Sequence, residues 1–226
     1  MTPDGSAERQ RPSRPSRREL RPDDGRLVRG RRSRDRIQLA ARELFRECGF
    51  DGATLRAIAA RAGMGASSIY RHVRTKEELL VHELRVLQER AWKHFRQRDD
   101  RKRPTRERVE HFLQIQHRLL AADRDFTSIA LRGLTRPDAR VASQVLQLQD
   151  QTIGLLAEIL QVGRMRGDLA PGLDVLEASR TLFHITQGAR IPWLNGAMSD
   201  EACLEAIQQD VAMLFRGIGA PPEPPR

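Results

Sequence analysis

From Ser33 onward, hydrophobic positions recur three and four residues apart, the spacing of amphipathic helices rather than strands. Ile37, Ala40, Ala41, Leu44, Phe45 and Cys48 form one apolar stripe, with Ser33 as candidate N-cap and Gly49 placed to end the helix. After a turn at residues 50–53, Thr54 can cap a second helix carrying Leu55, Ile58, Ala59 and Ala62, which Gly63 stops. A short third helix is predicted over about 65–72. The fourth opens at Thr75, which has capping-box spacing to Glu78. Its stripe (Leu80, Leu84, Leu87, Ala91, Phe95) runs to about Arg98.

Beyond a charged linker at 99–104, five more helices are predicted, at about 105–121, 126–133, 137–163, 174–194 and 200–217. Pro137 suits the first position of the third of these, and Pro192 should kink or shorten the fourth. No stretch alternates like a strand and no repeat is evident. The expected fold is all-α: an N-terminal three-helix domain, a long connecting helix and a C-terminal helical domain. The expected boundaries are a disordered basic arm (1–32), a first domain with connecting helix (33–98), a second domain (99–218) and a flexible tail (219–226).

Composition adds a polarity to this plan. The 226 residues carry a formal charge of +10, and residues 1–98 hold essentially all of the excess. A basic half joined to a neutral half predicts that one end meets a polyanion while the other does something else. The arm, with Arg26, Arg29, Arg31 and Arg32 nearest the folded part, could reach along DNA or be a solvated tail. No apolar run reaches the roughly 18–20 residues of a membrane span, and the Arg- and Pro-rich start lacks a secretory pattern. Cys48 and Cys203 suggest neither a disulfide framework nor a zinc site, and the six His have no metal spacing. No catalytic signature is found, so the expectation is no catalytic residue, no metal and no cofactor, in a cytoplasmic protein.

Residues 54–72 carry the chemistry. A two-turn helix, a tight turn at Gly63 and a second short helix have the spacing of a helix-turn-helix. Ala59 lets the two helices approach closely, and Gly63 supplies the positive φ of the turn. Gly65, Ala66, Ser67 and Ser68 are small enough for the third helix to lie against DNA, and its N-terminus favours phosphate. Ile69 is expected to face the core, with Tyr70, Arg71 and His72 pointing outward.

These residues resemble the tetracycline-repressor (TetR) family of bacterial transcription regulators. The resemblance runs from Arg36 to about Leu84, through A-A-x-x-L-F-x-x-x-G-F at 40–50, T-L-R-x-I-A-x-x-A-G at 54–63 and S-S-I-Y-R-H-V-x-x-K-E-E-L-L at 67–80. Gly65 departs from the hydroxylic N-cap common there, and Val73 stands where the family often has Phe. The resemblance implies that Thr54 meets phosphate through its backbone amide and that Arg56 reaches a base edge, where a guanidinium suits guanine. It places Ala66, Ser67 and Ser68 in the major groove, Tyr70, His72 and Lys76 on phosphates, and Arg71 on phosphate or base. Tyr70 could instead pack on the first helix, and His72 could cap its own helix.

The resemblance also implies a homodimer on a palindromic double-stranded operator, formed by the last two helices. Their stripes are Ala178/Leu182/Ile185/Ala189 and Leu204/Ile207/Val211/Leu214. The stripes alone leave open whether they meet a second copy or close this chain's own core. It further implies a repressor released by an unidentified small-molecule effector, with Phe112, Gln116, Phe126, Met165, Phe183, His184, Gln187 and Trp193 as candidate walls of its site. The alternatives are an effector-independent regulator and a nonspecific architectural DNA-binding protein, the latter marked by steep salt dependence without sequence preference.

Overall fold

The computed structural model describes residues 25–135 and 137–218, and these form helices joined by short turns. They are α1 (Gly25–Gly52), α2 (Leu55–Arg61), α3 (Ala66–Ile69), α4 (Lys76–Arg98), α5 (Thr105–Ala121), α6 (Arg124–Gly133), α7 (Ala139–Met165), α8 (Val175–Leu194) and α9 (Asp200–Ile218). No helix among the described residues is long and apolar enough to cross a membrane.

Side-chain caps start most of these helices. Thr54, Thr75, Asp123, Asp138 and Asp174 each accept a hydrogen bond from a backbone amide of the first turn they precede. Three local expectations need correction. Residues 25–32, expected within a disordered arm, are helical, so Ser33 lies inside α1 instead of capping it. Arg and Leu are good helix formers, and extending a nucleated helix is far easier than starting one. Residues 1–24 and 219–226 lie outside the described residues. Pro137 sits one position before the N-cap Asp138, because the Asp carboxylate satisfies the Arg140 amide at 2.8 Å. At α4, Glu78 accepts from the Arg74 amide (2.9 Å) rather than from the Thr75 amide of a capping box.

The helix α1 breaks at Gly49 (φ 73°), where a glycine stop was expected, and the next turn leads into α2. Its buried face (Ile37, Ala40, Ala41, Phe45) packs with Ile58 and Ala59 of α2, Ile69 of α3, and Leu79 and Leu80 of α4. The same core continues through Phe126 and Ala130 of α6 into a bundle of α4, α5, α7, α8 and α9. Phe95, Phe112, Leu156, Leu182, Trp193, Ile207 and Val211 fill that bundle and are almost entirely excluded from solvent.

Polar contacts fasten the first domain to the second. Arg42 pairs with Glu83 of α4 and stacks over the Phe126 ring of α6 (5.3 Å), while Arg46 pairs with Asp123, the cap of α6. Thus α4 and α6 belong structurally to both halves.

Candidate nucleic-acid interface and ligand cavity

The helix-turn-helix is built by local chemistry. Thr54, in extended backbone, accepts from the Ala57 amide at 3.1 Å and opens α2. The helix closes in a Schellman motif: the Gly63 amide donates to Ala60 O (3.1 Å) and the Met64 amide to Ala59 O (3.0 Å). This geometry needs φ > 0 at Gly63, which has +66°. Ala59 is fully buried where the helices meet, and Ile69 anchors α3 from beneath. Gly65 precedes α3 without a side-chain cap, which leaves the start of that helix bare.

Thr54, Arg56, Ala66, Ser67, Tyr70 and Arg71 share the exposed surface around this unit, and Ser68 and His72 are half-buried. Tyr70 is 58% exposed. The Arg71 Nη2 donates to the Ser68 hydroxyl at 3.0 Å, which orients both side chains. Burial, with Arg34 and Arg71 nearby, holds the His72 imidazole below its ordinary pKa. That proximity also brings Arg34 of α1 to this surface, and Arg36 approaches the turn at Gly63. Both were missed from sequence; their signal was a basic polar face on α1 opposite its apolar stripe.

Lys76 has a different setting from the phosphate contact expected. Its ammonium donates to Phe50 O (2.6 Å), Ala53 O (3.3 Å) and Asp51 O (3.4 Å), and lies 4.3 Å from the centre of the Phe50 ring. The ammonium has three donors, all directed at carbonyls where α1 ends, a terminus that favours a cation. On α2, the exposed Arg61 grips Glu47 of α1 through two bonds of 2.8 Å. This pairing raises the guanidinium pKa and lowers that of the Glu47 carboxyl.

In the second half, α4, α5, α7 and α8 line a solvent-open cavity of about 630 Å³, with α6 at one side. Four of the eight expected wall residues line it: Gln116, Phe183, His184 and Gln187. The others do not. Phe112 packs edge-on to Trp92 and Phe95, Phe126 tilts against Phe45, and Trp193 donates to Asp200 Oδ1 at 2.6 Å. Met165, 78% exposed, ends α7 in solvent. Among the lining residues outside the expected set are the polar Gln88 and the charged Arg190. Arg190 follows Phe183 and Gln187 by seven and three residues, so a charge on that face of an apolar helix was the available signal.

The C-terminal stripes divide. Ala178, Leu182, Ile207 and Val211 are buried and close this chain's own core, whereas Ile185, Ala189, Leu204 and Leu214 are partly exposed. A shallow apolar concavity of about 710 Å³ lies on α8 and α9 between Ile185, Ala189, Met213 and Leu214.

A helix-turn-helix with a bare, exposed recognition helix, joined by one long helix to a bundle with a solvent-open cavity, is the architecture of a DNA-binding regulator. Residues 37–82 match the family model described as bacterial regulatory proteins, tetR family. The HTH-type transcriptional regulator UidR of Escherichia coli K12 is 26% identical over 156 residues, covering 69% of this chain and 79% of that one. The fold is shared with Thermus thermophilus FadR, a TetR-family repressor solved with lauroyl-CoA (TM-score 0.72, 23% identity, 85% of this chain and 98% of that one). It is also shared with Bacillus subtilis FadR solved with stearoyl-CoA (TM-score 0.65, 22% identity, 82% and 99%). Residues 37–82 thus carry the DNA-binding module of the TetR family, and the chain is similar over most of its length to DNA-binding transcriptional regulators of that family.

Proposed function

We propose that this regulator is a cytoplasmic, dimeric repressor that leaves its operator when a small molecule fills the cavity. The observation that carries the reading is the double role of α4. Its Leu84, Leu87 and Gln88 form a cavity wall, while its Leu79 and Leu80 share the core that holds Ile69 of the recognition helix. A ligand that fits only one position of α4 therefore changes how the recognition helix is presented, because differential affinity is what shifts an equilibrium. The acyl-CoA complexes of the two FadR proteins support a ligand in this domain.

On DNA, Arg56, Ser67, Ser68 and Arg71 face the bases, and Thr54, Tyr70 and His72 face phosphates. Lys76 acts indirectly, by fixing α4 to the end of α1. The dimer forms through the exposed apolar face of α8 and α9. Gly188 lines both that face and the cavity, so a second copy would sit beside the ligand. The domains divide as 33–98 for DNA and 99–218 for ligand and partner, with α1 extending the first toward residue 25.

Selection of bound duplexes from a random pool tests the reading. The expected motif is a palindrome with half-sites about one helical turn apart or more. Binding without a recovered motif, falling steeply with salt, would instead favour the architectural alternative.

A further inference from the structure

The cavity contains one charge with no counter-charge. Arg190 is the one Lys, Arg, Asp or Glu among the described residues that line it. The side chain is 1% exposed, Nη2 donates to Gln116 Oε1 at 2.8 Å, and Nε has no hydrogen-bond partner. Burial pulls the guanidinium pKa down to about 10, so the group remains charged at neutral pH. A buried charge without a partner is costly, and its neutral Gln116 contact relieves only part of that cost.

We propose, building on the ligand-released repressor reading, that the effector is a monocarboxylate: its carboxylate pairs with Arg190 and its largely apolar body fills the space between α4 and α8. Leu84, Leu87, Leu148 and Phe183 supply the apolar wall. The planar guanidinium, with Nε–H free, matches a carboxylate in both charge and geometry. One positive charge in an otherwise uncharged wall matches one negative charge rather than a phosphate dianion. The acyl chain of a CoA thioester would leave Arg190 facing methylenes. Gln88 Oε1, also buried and unpartnered, is an acceptor for a hydroxyl or N–H elsewhere on the ligand.

The test uses the full chain and matched probes: laurate, 1-dodecanol and lauroyl-CoA, and 2-naphthoate with its methyl ester. Melting temperature and binding to the selected operator are read for the wild type, R190M and R190K. Expected is a rise in Tm and operator release with a carboxylate, but not with its neutral analogue. Affinity for the acid should fall at least about tenfold in R190M and less in R190K, while unliganded R190M melts no lower than the wild type. Equal response to the neutral analogues, wild-type affinity in R190M, or no response to either acid overturns the carboxylate assignment. A lower Tm in both unliganded variants overturns it too, by making Arg190 structural. Release by lauroyl-CoA alone, insensitive to R190M, overturns the carboxylate while leaving the ligand-released repressor intact. No release by any probe, with acids binding through Arg190, sustains the carboxylate site and counts against the release mechanism.

Discussion

Each half of the molecule offers a pair of arginines to compare, one held by carboxylates and one without any. On α2, Arg61 is held by Glu43 and Glu47 of α1, whereas Arg56 stands exposed with no ion pair among the described residues. In the second half, Arg108 is 3% exposed and bound twice by Asp99 (2.8 and 2.7 Å), whereas Arg190 has only Gln116. The setting differs between the ends. Water solvates Arg56, so waiting for DNA is inexpensive; Arg190 is buried, so waiting for an anion destabilises the free protein. Regulators can tolerate such strained sites because binding, not maximal stability, is the selected property.

The comparison breaks most visibly at Asp99. Asp99→Ala strands a buried guanidinium, with an expected loss of about 3–5 kcal/mol in urea unfolding. Arg190→Met removes a stranded charge and should leave stability unchanged or higher. If Asp99→Ala costs under about 1 kcal/mol, against the usual cost of breaking a buried pair, the contrast between the two buried arginines has no energetic content. Nη1 of Arg108 already lacks a partner, so the predicted loss concerns the charge rather than a count of hydrogen bonds.

On α2 the same contrast is read in DNA binding. Arg56→Ala should lose about 1–3 kcal/mol of discrimination at one base pair of the operator. Arg61→Ala should keep the wild-type sequence preference, since its side chain is held on the α1 side. Quantitative binding to single-base operator variants separates them. Loss of the same base preference in both would show that Arg56 acts through the fold.

Lys76 gives a smaller effect. Its ammonium is directed at three carbonyls, so Lys76→Met should cost about 1 kcal/mol of stability. It should leave the salt dependence of operator binding unchanged. Arg71→Ala should instead lower that slope by about 1. A reduced slope in the Lys76 variant would return that side chain to the phosphate backbone.

These cases also explain what could be read in the chain. The caps at Thr54, Thr75 and Asp174 and the stop at Gly63 depend on residues within one turn, so local spacing reveals them. The fold class follows from the same periodicity. Tertiary assignments fared differently: Phe112, Phe126 and Trp193 are apolar residues on inward faces, and nothing local distinguishes a core wall from a cavity wall. Arg190 is not legible locally because its burial depends on distant elements, with Gln116 of α5 and Cys203 of α9 lying against it. Lys76 shows the converse case, a motif position whose ammonium lies against the carbonyls ending another helix.

The smallest effect tests whether the charge on Arg190 is felt within the free protein. His117 is buried, its Nε2 lies 2.9 Å from Asp200 O, its Nδ1 has no partner, and its ring packs edge-on to Trp193. Burial lowers its pKa, opposed by the hydrogen bond to Asp200, and Arg190 lowers it further while the charges of Asp200 and Glu201 raise it. The unfolded chain, whose histidines titrate near 6.5, therefore takes up the proton first. The stabilising contribution is complete above about pH 6.5 and is lost as pH falls toward the folded value. Urea midpoints should drop on acidification, with a shallower slope in His117→Gln; His72, His82 and His111, lowered in the same direction, retain the remainder. Arg190→Met should also flatten the slope, because removing the neighbouring cation eases protonation of His117. An unchanged slope in Arg190→Met, beside a shallower one in His117→Gln, would mean that the cavity charge is screened from the core behind it.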